Sequence, residues 1–185
     1  MIKETHISTL LQLFRQFGYE GLSLTKISQA TGLGKASLYH HFPGGKAEMA
    51  AAALASVNQW LEGSILPLLM IDQSMEPISA FQRMCKETDR FFDGGKNACL
   101  WAVLVCEQSS DELFREQIRE AFLRWSEAIA NVLVQAGVHK NLAKQRGEDA
   151  MISIQGALIL SHGLRDYGSF QRVIKQLPQQ LCRDI

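Results

Sequence analysis

Between Gly21 and Ala47 the chain carries no Asp or Glu, yet Lys26, Lys35, His40, His41 and Lys46 all fall inside that window. Cations without competing carboxylates attract phosphate oxygens. The chain as a whole balances 19 Lys+Arg against 19 Asp+Glu, with a pI of about 7.0, which taken alone argues against a nucleic-acid partner. The distribution matters more than the sum, because a local acid-free window can face phosphates on a neutral protein.

Other chemistry finds little support. No nucleophile elbow, phosphate loop, metal-ligand cluster or suggestively spaced carboxylate pair occurs, so no enzyme, metal or cofactor is expected. Gly44-Gly45-Lys46 is too short for a phosphate-binding loop and reads as a turn leading into a helix. His40 and His41 are adjacent and would point about 100° apart on a helix, which disfavours shared ligation. Cys85, Cys99, Cys106 and Cys182 are scattered, with no CxxC pair. Two readings fit them: reduced, buried thiols, or a redox pair of Cys99 and Cys106. Nothing in the sequence lowers a thiol pKa.

The elements that must position the basic window are helical. Ile7, Leu10, Leu11, Phe14 and Phe17 form one apolar stripe, and Gly18 ends that helix. Ser23 is the expected N-cap of a short second helix with Leu24, Ile27 and Ala30 inward, and Gly32 stops it. A third helix runs from Lys35 to His41, before the breaker Phe42-Pro43-Gly44-Gly45. A long helix is expected from Lys46 to about Leu66, bent or ended by Pro67. Glu76-Pro77 opens another, carrying Phe81, Met84, Cys85, Thr88 and Phe92, with Asp93-Gly94-Gly95 closing it. A short apolar helix covers about 98–107. Two long ones follow, about 111–136, burying Leu113, Phe114, Ile118, Phe122, Trp125, Ile129, Val132 and Leu133, and about 142–164, apolar nearly all round from Ile152 to Leu160. A last helix spans about 170–181. The pattern is all-α, a small N-terminal module (1–47) joined by a continuous helix to a larger helical body (48–185). No apolar run approaches the roughly 18 uncharged residues of a membrane span, and the N-terminus lacks a secretion-signal layout, so a cytoplasmic protein without membrane partners is expected.

Two short helices joined by a tight turn after Gly32 have the geometry of a helix-turn-helix, whose second helix enters the major groove of double-stranded DNA. The residues themselves go further. Gly18-Tyr19-Glu20-Gly21-Leu22-Ser23, Ile27-Ser28-Gln29-Ala30-Thr31-Gly32-Leu33 and Lys35-Ala36-Ser37-Leu38-Tyr39-His40-His41-Phe42 resemble the N-terminal domain of the TetR (tetracycline-repressor-like) family over about 7–49. The resemblance implies an all-α homodimer with three DNA-binding helices and a ligand-binding C-terminal domain. It implies that Lys35 and Ser37 contact bases or nearby phosphates, that Tyr39 and His40 contact the backbone, and that Thr25 and Lys46 bind phosphate. Leu38 and Phe42 match core positions. Gly34 departs from the family pattern, which has a Ser N-cap there; Gly serves with a loss of a few tenths of a kcal/mol, and the third helix would then order fully only on DNA. Tyr39 also reads as a half-buried core aromatic, and Lys26 as a solvated surface charge.

The C-terminal stretches Asn97-Ala98-Cys99-Leu100, Ala121-Phe122-Leu123-Arg124-Trp125 and Gln155-Gly156-Ala157-Leu158-Ile159-Leu160-Ser161 look like the LmrA/YxaF-type branch of that family. The family's dimer seam would bring together the small residues Ser153, Gly156, Ala157 and Ser161; packing within the chain explains the same residues. Trp60, Phe81, Met84, Phe92, Trp101 and Phe122 are candidate walls for a hydrophobic or aromatic effector, although Met and aromatic stripes at helical spacing are more often plain core. Glu107 and Asp89 are carboxylates that would suit a cationic compound. The reading is a repressor released from a palindromic operator by a small molecule. The alternative is a helical ligand-binding or adaptor protein without sequence-specific DNA binding.

Overall fold

The computed structural model describes residues 4–70, 75–183 and 185, apart from the side chain of Thr5. Among the described residues the regular structure is entirely helical, and the chain divides into two compact units, Met1–Gln59 with Cys99–Ile118 and Trp60–Ala98 with Arg119–Ile185.

In the first unit α1 (Glu4–Phe17) buries Leu10 and Phe14 along the expected stripe and ends at Gly18, whose φ of +69° is the left-handed turn that glycine adopts without strain. Ser23 caps α2 (Leu24–Thr31) by accepting the Lys26 amide at 3.3 Å. Ile27 is fully buried and Leu24 half-buried, but Ala30 is exposed, against expectation. Steps of three residues fall about 60° short of a turn, so residues 24, 27 and 30 fan out and only the middle one faces inward squarely. The turn after α2 is braced by side chains: Thr31 Oγ1 donates to the Ile27 carbonyl, and Ser28 Oγ to the Leu33 carbonyl, each at 2.7 Å. Helix α3 (Lys35–His41) follows, anchored by buried Leu38 and then Phe42. Helix α4 (Gly45–Trp60) buries Met49, Ala50, Ala53, Leu54 and Val57. The short α6 (Leu100–Val105) fixes its position with Trp101, whose indole N–H donates to Asn58 Oδ1 at 3.0 Å. Helix α7 (Gln108–Gln135) gives residues 108–118 to this unit and 119–135 to the other.

The second unit opens where α4 stops. The single helix expected to reach Leu66 is α-helical only to Trp60; a π turn (Leu61–Ile65) and a 3-10 turn (Leu66–Leu69) follow. Pro67 supplies the reason: it has no amide to give, and its ring would clash with the Gly63 carbonyl in a continued α-helix. Pro77 opens α5 (Pro77–Phe91), which buries Phe81, Met84, Cys85 and Thr88. Helix α7 buries Trp125, Ile129, Val132 and Leu133, whereas Leu113, in its first-unit part, is half exposed because it lies a helical step from buried Phe114. Helix α8 (Lys140–Leu164) turns Ile154, Ala157 and Leu158 inward but leaves Ile152, Ile159 and Leu160 outside. Helix α9 (Gly168–Leu181) packs Phe170, Ile174 and Leu177 on α5 and α8.

Cys85 and Cys99 are buried and Cys182 is half-buried, whereas Cys106 is exposed. Burial pushes the Cys85 thiol up to about 12, which keeps it protonated and unreactive at neutral pH. Among the described residues no helix is long and apolar enough to cross a membrane, and no group of His, Cys, Asp and Glu could hold a metal ion.

Helices α7 and α8 cross at Gly147, where an added Cβ would collide with the Ser126 carbonyl oxygen. Gly147→Ala is therefore expected to destabilise the chain by about 1–3 kcal/mol despite its better helix propensity. A denaturant midpoint equal to or above that of the parent would contradict this close approach.

Candidate nucleic-acid interface

Seven residues make barely two turns of helix, so α3 takes its orientation from Leu38, 1% exposed, and from Phe42. With Leu38 turned inward, Lys35, Ala36, Tyr39 and His40 are all exposed and lie on one side of α3. Ser37 sits half-buried on the flank, with His41, whose ring meets that of His40 edge-on at 5.3 Å. Tyr39 is 49% exposed, so it is a surface residue and not a core aromatic. Ala36, overlooked in the sequence, occupies the middle of the outward face; an angular projection of α3 would have found it.

A hollow of about 520 Å³ opens beside this face, between the α1–α2 turn, the end of α3 and the start of α4. Tyr39, Lys46, Ser23 and the Gly44-Gly45 backbone line it, whereas Thr25, Lys35 and His40 lie outside it. Thr25 is exposed in the first turn of α2. Lys46 is half-buried, its ammonium 4.5 Å from the centre of the Tyr19 ring. Lys26 instead lies 3.9 Å over Phe17, a local role consistent with a surface charge. The start of α4 is partly neutralised by the chain itself: Glu48 Oε2 accepts the Gly44 amide at 2.7 Å.

Behind the hollow the α1–α2 turn is tied down by carboxylates. Glu107 Oε2 accepts the Tyr19 amide at 2.6 Å, and Glu20 Oε1 accepts the Ser109 hydroxyl at 2.8 Å and its amide at 3.2 Å. The bonds from Ser109, hydroxyl first and amide second, hold the Glu20 carboxyl below its ordinary range, with Lys46 adding to the effect. Glu20 therefore stays ionised as pH falls, and its contribution is lost only once pH passes down through that depressed value.

Of the effector-wall candidates, Trp101 belongs to the first unit and the other five to the second. Phe81, Met84 and Phe92 are buried, Phe122 half-buried. Trp60 stacks on Phe91 with centroids 3.8 Å apart, meets Phe92 and Trp125 edge-on, and donates its indole N–H to Glu87. The Trp125 indole N–H reaches Met84 Sδ at 3.4 Å. These side chains pack on one another. A groove of about 860 Å³ along α5 and α9 is lined by Lys86, Asp89, Arg172, Lys175 and several glutamines, with none of the six candidates in it. Of the seam candidates, Ala157 and Ser161 face the chain's own interior, where Ser161 Oγ accepts the Phe170 amide at 3.3 Å. Ser153 is half-buried and Gly156 exposed, on the side that carries Ile152 and Ile159.

Known proteins match this arrangement along nearly its whole length. Residues 7–53 match the model of bacterial regulatory proteins of the tetR family, and residues 77–176 match the C-terminal domain of LmrA/YxaF-like transcriptional regulators. The HTH-type transcriptional regulator LmrA of Bacillus subtilis is 27% identical over 98% of this chain and 97% of its own length. The uncharacterized HTH-type regulator YxaF of the same organism is 28% identical over 95% of this chain and 93% of its own. A TetR transcriptional regulator from Legionella pneumophila superposes with a TM-score of 0.82 at 17% identity, covering 97% of this chain and 98% of that one.

Helix α3 starts at Gly34, which offers no side-chain cap; its φ of −63° suits any residue, and an added Cβ meets no atom within 4 Å. Gly34→Ser should therefore stabilise the chain by roughly 0.5–1 kcal/mol through the cap and the stiffer unfolded state. This corresponds to a Tm about 2 °C higher. A lower Tm would mean that the start of α3 does not adopt this conformation.

Proposed function

Since the chain belongs to the tetR family of bacterial regulatory proteins, a family of transcriptional regulators with a helix-turn-helix DNA-binding domain, we propose that it is a homodimeric repressor released from a palindromic operator by a small hydrophobic or aromatic ligand. The observation that carries the reading is the outward face of α3, with Lys35, Tyr39 and His40 exposed beside Lys46 in an acid-free stretch. Residues 1–47 read DNA in this proposal, and residues 48–185 bind the effector and dimerise. Helix α3 enters the major groove, where Lys35 and Ser37 meet bases or nearby phosphates and Ala36 offers a methyl to thymine. Thr25, Tyr39, His40 and Lys46 hold the phosphate backbone, which fixes register without reading sequence. The protein works in the cytoplasm and is not an enzyme.

The two-fold seam runs along the exposed side of α8. Ile152 and Ile159 are 68% and 66% exposed, with Gly156 and Gly163 on the same side, so a second copy gains a large apolar area by covering them. A two-fold dimer presents its α3 helices to half-sites about 34–36 Å apart or a multiple of that. The effector takes its place among the aromatic side chains of the second unit, with Trp60, Phe81, Met84, Phe92 and Phe122 as candidate walls. Because several of these pack on each other, binding requires them to part. The ligand then shifts the DNA-binding equilibrium only by its preference for the non-binding state, typically 1–3 kcal/mol.

Fluorescence anisotropy with duplexes from the region upstream of the protein's own coding sequence tests the reading. The wild type should prefer one of them over mixed-sequence DNA. Ser37→Ala should change the ranking of operator variants by about 1–3 kcal/mol, whereas Lys46→Ala should weaken all of them alike. No preference for any upstream duplex, or a uniform loss from Ser37→Ala, would contradict the assignment. Ile159→Asp should convert the dimer to a monomer in sedimentation velocity; an unchanged dimer would place the seam elsewhere.

A further inference from the structure

Two carboxylates cross between the α1–α2 turn and the corner joining α6 to α7, both within the first unit. Glu107, at the corner, accepts the Tyr19 amide; Glu20, in the turn, accepts the hydroxyl and amide of Ser109. The partners are 88 and 89 residues apart in sequence. The corner is itself rigidly built. Buried Ser110 donates its hydroxyl to the Leu104 carbonyl at 2.6 Å, and the Glu107 carbonyl accepts the Asp111 amide at 2.9 Å. Gly18 makes the approach feasible, because a Cβ there would land on the Glu107 carboxylate.

What these bonds hold is Tyr19. Its amide is fixed by Glu107, and its ring lies nearly parallel to Phe14 at 6.4 Å and edge-on to Phe114 of α7 at 6.3 Å. The Lys46 ammonium rests on that ring and is close enough to Glu20 for the two charges to attract. A lysine side chain carries about 2 kcal/mol of rotamer entropy, so an unsupported ammonium would spread over many positions. Here the Tyr19 face confines it, and that ring is held from the α6–α7 corner.

We infer that Glu107 is a positioning residue for DNA binding: through the Tyr19 amide and ring it sets where the Lys46 ammonium stands, while Glu20, bonded to Ser109, ties the same turn to the corner a second time. The inference rests on the reading above, in which Lys46 meets a phosphate. It assigns part of the DNA-binding machinery to a residue that never touches DNA. A bond from an amide N–H to a carboxylate is charge-assisted and short, as a positional constraint requires.

The test is the salt dependence of binding by the full-length protein to a fluorescein-labelled mixed-sequence duplex. Glu107→Ala should make the slope of log K against log salt shallower by about 0.9, one phosphate contact. Lys46→Ala should give the same change, and the double variant no further one. Glu107→Gln keeps an acceptor oxygen for the Tyr19 amide and should restore the slope. If Glu107→Ala is unfolded at the assay temperature, Glu107→Asp, whose carboxylate is drawn back by one methylene, replaces it with the same expectation. A folded Glu107→Ala or Glu107→Asp variant that melts lower yet keeps the wild-type slope would overturn the inference, leaving Glu107 a purely structural role. Slope losses that add in the double variant would overturn it too. Wild-type protein without salt-dependent binding would sink this inference and the DNA-binding reading together, whereas a wild-type slope unaffected by Glu107→Ala sinks this one alone.

Discussion

A helix of seven residues is far below the length that is stable alone in water, so α3 exists because Leu38 and Phe42 are buried beneath it. That single anchoring determines the remainder of the surface. Once Leu38 faces inward, the 100° step of the helix leaves Lys35, Ala36, Tyr39 and His40 outside with no freedom to rotate away. The turn before α3 lacks a capping side chain at Gly34, and Thr31 and Ser28 brace it from the preceding helix instead. A helix built this way owes its placement to tertiary packing, since its own propensity contributes little.

Charge placement follows the same logic of local arrangement over totals. The protein is neutral, yet the surface offered by α3 and the start of α4 has no carboxylate between Glu20 and Glu48. Both flanking carboxylates are engaged at close range, Glu20 with Ser109 and Glu48 with the Gly44 amide. In the proposed reading, engaged acids at the edges leave the cations between them to face phosphate. The α6–α7 corner is as much part of this arrangement as the three N-terminal helices, because it holds the Tyr19 ring on which Lys46 rests.

The helices were legible in the sequence wherever a local signal announced them. Ser23 and Gly32 mark α2, Pro77 opens α5, and the apolar stripe of α1 buries as its spacing requires. The same signals erred where rotation or backbone geometry intervened. Ala30 and Leu113 lie a partial turn away from the buried line, and the end of α4 unwinds through a π turn ahead of Pro67. Ala157 and Ser161 look like their neighbour Gly156 as small residues, and only the packing of α9 on α8 separates the inward pair from the outward glycine. At the candidate site the charged and hydroxyl-bearing residues could be named from type and family resemblance. The Glu107–Tyr19 and Glu20–Ser109 bonds could not, because no periodicity links residues so far apart in the chain.

In the proposed reading, α3 and the beginning of α4 form the surface that meets DNA. Amide hydrogen exchange of the full-length protein, free and bound to its preferred upstream duplex, addresses it most directly. Exchange should slow on binding across residues 35–46 and the first turn of α2. Protection confined to α5, α8 or α9, with 35–46 unchanged, would contradict it.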